Sequence, residues 1–315
     1  MSQTSGLHHI TAIAADPQKN VDFYEGFLGQ RFVKKTVNFD DPSAYHLYYG
    51  DYVGSPGTAM TFFSWQGMPS GTPGVGEVDA IYYRIPAGSE EYWQKRAVDF
   101  GVSCESAKLA GESALSMRDP DGHKLFLVTS RLEEVPVLRQ WTDGVVPLEN
   151  LLMGFYGVRM VVADEAMVSP ILIEVFGYEK VYEDDFLRRY QVPGSLGTMI
   201  DVSVKPDAPP ARQGVGSVHH IAFRAKDDDE REEFRERLIN LGLSPTGLVD
   251  RTFFNATYCW TPARILFEIS TDQPGFTVNE PEATLGESLV LPEQYEHLRV
   301  PIEKNLPPIR LPRHG

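Results

Sequence analysis

At 315 residues the chain is longer than one hydrophobic core usually serves, and its 42% hydrophobic and 23% charged composition argues against a fibrous or disordered chain. A formal charge of −15 argues against nucleic acid and anionic membrane surfaces as partners, since both are met by basic patches. Cys104 and Cys259 are too few and too far apart for a disulfide framework or a thiolate site, so any bound metal must be held by nitrogen and oxygen.

The opening Met1 to Gly6 is polar, with neither a basic nor an apolar leader segment, and a cytoplasmic location is expected. Leu7-His8-His9-Ile10-Thr11-Ala12 then reads as a strand, followed by a helix over 20–28 that ends at Leu28-Gly29, where glycine supplies the left-handed terminal conformation. A second unit runs from a strand at 80–85 through a helix at 90–100 to the turn Asp119-Pro120-Asp121-Gly122 and a strand at 124–128. Residues 131–150, with two prolines and no sustained period, read as a link. A third unit has a strand at 157–162, a helix at 167–176 and a strand at 198–204. Val218-His219-His220-Ile221-Ala222-Phe223 then repeats the opening segment and precedes a helix over 229–241, which again ends at Leu-Gly. Arg264 to Ser270 reads as a strand, and a Pro-rich tail after Asp272 is expected to wrap over the surface. The economical reading is four related modules of about 50 to 60 residues.

Successive strand residues face opposite sides, so one histidine of each pair can point at a shared site without distortion. His219, Ile221 and Phe223 share the face that suits helix packing. His220 shares the other with Ala222 and Arg224, which makes it the better ligand candidate, and His9, beside Thr11, takes the same role by repeat analogy. His8 and His219 then lie close behind. In the last strand Ile265, Phe267 and Ile269 form an apolar face and Glu268 points the other way, a costly place for a carboxylate unless it is paired or metal-bound. Asp201 holds the equivalent slot of the third module, but its opening strand has no histidine. Two imidazoles and one carboxylate on one face leave positions open opposite, which suits non-haem Fe(II); Zn²⁺ fits the same donors. His46 and His123 are read as packing or solvent residues. Between His220 and Glu268, Arg251 and Tyr258 offer hydrogen bonds, and Phe253 and Phe254 offer aromatic faces, to an aromatic, anionic substrate.

These motifs together resemble the vicinal oxygen chelate superfamily of glyoxalases, bleomycin-resistance proteins and extradiol dioxygenases, and more closely its hydroquinone-type ring-cleaving branch. The resemblance covers nearly the whole chain and includes Gly29 to Asp41, Tyr45-His46-Leu47-Tyr48, Asp250-Arg251 and Leu266-Phe267-Glu268-Ile269. It implies an α+β fold of four βαβββ modules paired into two domains with curved mixed β-sheets: a first pair over 1–135, a linker over 136–150, a second pair over 151–275 and a wrapping tail over 276–315. It implies metal ligands at His9, His220 and Glu268, with catalytic roles for His8, His219, Arg251 and Tyr258. Fe(II) is the implied metal, and Mn(II) suits the same ligands. The implied partners are a small hydroquinone- or catechol-like aromatic and O₂, and a homo-oligomer is compatible with the sequence. The same fold also hosts glyoxalase-like isomerases, thiol transferases and metal-free antibiotic-binding proteins. One departure is that the family often carries Pro-Gly-Gly where this chain has Pro262-Ala263-Arg264.

Overall fold

The computed structural model describes residues 2–130, 138–194 and 196–312. The opening segment forms β1 (Leu7–Ala14), every residue of which is buried. Asp16 caps the helix that follows, α1 (Pro17–Val21), accepting the Gln18 and Lys19 N–H groups, with proline at the first helical position where no donor is missed. A π-helical turn (Asp22–Phe27) prolongs it to Gly29, whose φ of +71° allows the reversal into β2 (Arg31–Val37). β3 (Tyr45–Gly50) and β4 (Ala59–Ser64) complete the module.

The plan recurs three times. The second module comprises β5 (Glu77–Pro86), α2 (Glu90–Asp99), β6 (Cys104–Leu109), β7 (Glu112–Arg118) and β8 (Lys124–Ser130). The third comprises β9 (Phe155–Val162), β10 (Glu179–Glu183), β11 (Leu187–Gln191) and β12 (Met199–Val204). Its expected helix is reduced to a 3₁₀ turn at Glu165–Met167 and a π-helical turn at Ile171–Val175. The fourth comprises β13 (Val218–Ala225), α3 (Asp228–Asn240), β14 (Val249–Asp250), β15 (Phe254–Trp260) and β16 (Leu266–Pro274). Asp227 caps α3, and Asp228, Asp229 and Glu230 fill its first turn, where negative charge suits the helix dipole.

The modules join as two curved, mixed eight-stranded sheets, ordered β14-β15-β16-β13-β1-β4-β3-β2 and β10-β11-β12-β9-β5-β8-β7-β6. This pairing differs from the expected one of neighbours in sequence. The first module shares a sheet with the fourth, through antiparallel β1 and β13, and the second with the third, through β5 and β9. The two histidine-bearing strands are therefore adjacent, a pairing that strand signals local to each module do not specify. Of the linker expected over 136–150, residues 136–137 lie outside the described residues, as do 131–135 of the first expected domain. The tail is seen to residue 312, so 313–315, and His314 with them, also lie outside. It packs along the first sheet, burying Leu285, Leu291, Ile302, Leu306 and Leu311, and α4 (Arg299–Asn305) is its one α-helix among the described residues. Lys34 of β2, fully buried, donates to Asn279 and Glu280 of this tail. No helix among the described residues is long and apolar enough to cross a membrane.

Candidate active site

Three neighbouring strands carry the ligand candidates. In the register of β1 and β13, Ala222 lies opposite His9 and Thr11 opposite His220; in that of β13 and β16, Ala222 lies opposite Glu268. Cross-strand partners project to the same face, so His9, His220 and Glu268 meet in the cup of the first sheet. His9 Nε2 is 3.3 Å from His220 Nε2, and Glu268 Oε2 is 3.5 Å from the first and 2.9 Å from the second. All three residues are buried.

The donor set fits a metal ion. Two donors about 2.1 Å from one ion are about 3.0 Å apart at right angles and about 3.4 Å apart at the tetrahedral angle, and each observed edge lies within about 0.1 Å of that range. Glu268 Oε1 accepts the Ser270 hydroxyl at 2.7 Å, but Oε2 has no donor in hydrogen-bonding geometry among the described residues, despite its closeness to His220. Burial works against the Glu268 charge, and the His9 and His220 imidazoles outweigh it, holding the carboxyl well below the usual range. A divalent ion satisfies the orphaned oxygen and both imidazole lone pairs together.

Strict alternation would turn His8 and His219 away from this site. The strands depart from it at those residues: a bulge between Leu7 and His9 sets three residues against two of β13, and a second shift between Thr11 and Ala12 adds His219 to β13. As a result His8 Nδ1 lies 3.0 Å from His9 Nδ1, and His219 Nδ1 lies 2.8 Å from His220 Nδ1. With metal on Nε2, His9 and His220 carry their protons on Nδ1 and donate to the outer pair, which fixes ring orientation and tautomer. Burial first, then the neighbouring His220, pushes the His219 imidazole down to about 3. Burial and His9 likewise lower His8 well below its ordinary value.

A cavity of about 610 Å³ opens above Glu268, His9 and His220. Arg251 Nε donates to the Tyr258 hydroxyl at 2.9 Å, and both line the cavity. Burial and the Glu268 charge raise Tyr258 well above its normal value, so the phenol keeps its proton. Burial opposes the Arg251 charge, but Tyr258 and Glu268 raise its pKa, and it stays a cation. Phe254 lines the cavity, its ring centroid 4.9 Å from that of His9.

Two expectations need correction. Phe253, expected beside Phe254 in the lining, lies behind the wall with Val33, Tyr48 and Phe276, where Lys34 Nζ stands 5.1 Å from its ring centroid. Phe254 opens β15 on the cavity side, whereas Phe253, in the bend just before the strand, turns the other way. His46 is neither solvent-exposed nor mere packing: buried in the cavity wall, it places Nδ1 2.8 Å from the Tyr48 hydroxyl and Nε2 3.0 Å from Thr61 Oγ1. His8 is buried against His9 and is not part of the cavity lining, whereas His219 is. Asp201 is elsewhere, paired with Arg189 in the second sheet. Sequence reasoning also missed Phe39, Phe63, Trp65 and Trp260, which complete the aromatic wall. Their one sequence signal is aromatic density, which also marks the core. Arg264, where the family often has glycine, adopts a left-handed φ of +64°.

Two cupped sheets built from four repeats, one of them with two imidazoles and a carboxylate over an Arg- and Tyr-bearing cavity, define a repeat protein with the donors for a single divalent ion. The family model described as "Glyoxalase/Bleomycin resistance protein/Dioxygenase superfamily" matches residues 6–127. MhqO of Bacillus subtilis, provisionally named a ring-cleaving dioxygenase, is 40% identical over 309 residues, covering 98% of each chain. The chlorohydroquinone/hydroquinone 1,2-dioxygenase of Sphingobium indicum is 30% identical over 304 residues, covering 94% of each. A crystal structure of a provisionally named B. subtilis dioxygenase superposes with a TM-score of 0.94 at 40% identity over 99% of both chains. Glyoxalase I from Zea mays shares the fold, with a TM-score of 0.61 at 14% identity over 85% of this chain and 92% of its own. The chain belongs to the glyoxalase/bleomycin resistance protein/dioxygenase superfamily.

Proposed function

We propose that this protein is a metal-dependent ring-cleaving dioxygenase for hydroquinone- or catechol-like aromatics, with His9, His220 and Glu268 holding Fe(II). The observation that carries the reading is the convergence of these three donors, one carboxylate oxygen lacking any other partner, in the wall of an aromatic cavity that also presents Arg251 and Tyr258. Relatives named as ring-cleaving dioxygenases, one of them for hydroquinones, favour it over isomerase or sequestering roles. Mn(II) would accept the same donors.

The bound metal would supply coordination sites for a phenolate oxygen and for dioxygen, and a route for electron density between them. The chain's own residues bind, orient and move protons. Arg251, a fixed cation, and Tyr258, a protonated phenol, donate to the oxygen of the substrate that gathers negative charge. Phe254 packs on the ring face, and Trp65, its Nε1–H donated to Asp41 at 2.8 Å, stiffens the far wall. His219, neutral and cavity-lining, accepts at Nδ1 from His220; its remaining proton then sits on Nε2, where it can be exchanged with a substrate oxygen. His8, behind His9, holds that ligand's ring rather than meeting substrate.

The test is anaerobic Fe(II) loading followed by oxygen-electrode assays across substituted hydroquinones and catechols. One O₂ consumed per ring opened is expected, with His220→Ala losing both metal and uptake. Stoichiometric binding without oxygen uptake, or full activity in that variant, would refute the reading.

A further inference from the structure

The second sheet has a cavity of its own, of about 440 Å³. It lies on the face that carries Asp201, because Arg159 in its wall is the cross-strand partner of Asp201. Arg118, Lys124, Arg159 and Lys205 line it, against Glu77 and Asp79 as its carboxylates. Both carboxylates are already engaged. Asp79 takes Arg159 in a two-point pair at 2.8 and 2.7 Å, and Glu77 accepts the Gly74 N–H at 2.8 Å.

The three other cations outnumber the one carboxylate left to them, Glu77, on which Lys205 acts. Among the described residues neither Lys124, with the Phe126 ring at 5.0 Å, nor Lys205 has a carboxylate at salt-bridge distance; Asp79 and Glu77 act on them from farther off. Arg118 donates to the Gly122 carbonyl, which carries no charge, at 2.6 Å. His123, also in the wall, faces a carboxylate at Nδ1 (Asp119, 2.7 Å) and a carbonyl at Nε2 (Ser217, 3.3 Å), so both nitrogens carry protons. Burial, and then Arg159, Arg118 and Lys205 acting against Asp79, lower the Lys124 pKa. A concave wall concentrates this field, and in a chain of formal charge −15 the local excess of cations is a placement that needs an occupant.

We propose that this cavity is a binding site for a small dianion, a phosphate or a short dicarboxylate, with Lys124 and Lys205 as its charge partners and Arg118 at its edge. Such a site is independent of the proposed chemistry in the first sheet, since none of its lining residues lines the first cavity. A dicarboxylate ligand would tie it to a reaction that produces or consumes dicarboxylates; phosphate would not.

Isothermal titration calorimetry of the metal-loaded chain with inorganic phosphate and, separately, with maleate tests this. Saturable one-to-one binding of at least one anion is expected, weakened about tenfold or more in Lys124→Met/Lys205→Met. That variant should match the wild type in metal content and melting temperature in anion-free buffer. Lys205→Met alone, at an exposed position, should weaken binding by a smaller factor and keeps the test decisive if the double variant unfolds. The arm that binds names the class. No saturation by either anion below about 10 mM, or equal affinity in the variants, which would place the anion at Arg251 and the metal instead, overturns the proposal.

Discussion

The two cups of this molecule share one strand plan, and the side chains at a few matching positions give them different chemistry. The registers of β1, β13, β15 and β16 match those of β5, β9, β11 and β12, so His9 corresponds to Ala80, His220 to Gly157, Glu268 to Asp201 and Tyr258 to Arg189. Both imidazoles are thus gone from the second cup. Its carboxylate survives, and Arg189 meets it with Nε at 2.7 Å and a second guanidinium nitrogen at 2.9 Å, while the Tyr82 hydroxyl donates at 3.1 Å. In the first cup the buried carboxylate keeps an oxygen unsatisfied; in the second every need of the carboxylate is met internally. The same backbone therefore makes either a site for a cation or a structural ion pair, and a single strand position on β15 or β11 decides whether a guanidinium is already there.

The largest contrast should come from neutralising each carboxylate. Glu268→Gln is expected to lose metal and lower ring-cleavage turnover on the order of a thousandfold or more, with little change in urea midpoint. Asp201→Asn should leave turnover per folded molecule intact and cost about 3–5 kcal/mol in urea unfolding, because Arg189 is left buried without its main partner. If Asp201→Asn abolished oxygen uptake while remaining stable, the division of roles between the cups would be wrong. Next in size is Gly157→Ala. A Cβ there would stand 1.9 Å from the Met199 carbonyl oxygen, so the second cup has no room for any side chain where the first has His220. A loss of about 2–4 kcal/mol with unchanged metal content is expected.

A smaller difference separates the two adjacent phenylalanines. Phe254→Leu should raise KM for the aromatic severalfold at little cost in stability. Phe253→Leu should cost about 1–1.5 kcal/mol in thermal or urea unfolding and leave KM alone. The smallest concerns the buried pair that stitches the two sheets, His123 with Asp119, which also accepts the Tyr24 hydroxyl at 3.1 Å. Burial opposes the His123 charge, but Asp119 raises its pKa; burial likewise opposes the Asp119 charge, but His123 lowers that carboxyl. The His123 contribution is complete below the ordinary imidazole value and fades as pH rises through its raised one. The Asp119 contribution is complete above the ordinary carboxylate value and fades as pH falls through its lowered one. Stability measured by urea midpoint should therefore be highest between about pH 4 and 6.5 as far as this pair is concerned. An increase in midpoint above that window in wild type, absent in His123→Gln, would contradict it.

The proposed ligands were legible in the sequence because a repeat and a period-two pattern agreed on them: His9 and His220 stand at matching positions of matching segments, and Glu268 points away from the apolar face of Ile265, Phe267 and Ile269. What the sequence hid was long-range. Nothing local to β1 says that β13, some two hundred residues on, will pair with it rather than β5. The bulges that bring His8 and His219 to the site are set by cross-strand register and leave no local mark. His46, Phe63 and Trp65 reach the cavity from β3, β4 and the turn after β4, a convergence visible after the sheet has closed. The parity of Phe253 and Phe254 was readable in principle. Thr252, at a left-handed φ of +69° just before them, and the register shift between Phe254 and Ala256 obscured it.

The joining of the first module to the fourth also sets an order of assembly. During translation β1 emerges early, but its partner β13 follows only after about 10 to 40 s at ordinary elongation rates. The second sheet, contiguous from Glu77 to Val204, can close meanwhile. A ribosome-arrested chain ending before Glu268 should accordingly protect that middle stretch from protease yet capture no metal, so that in the newborn protein the proposed metal centre comes into being only after its metal-free counterpart has closed.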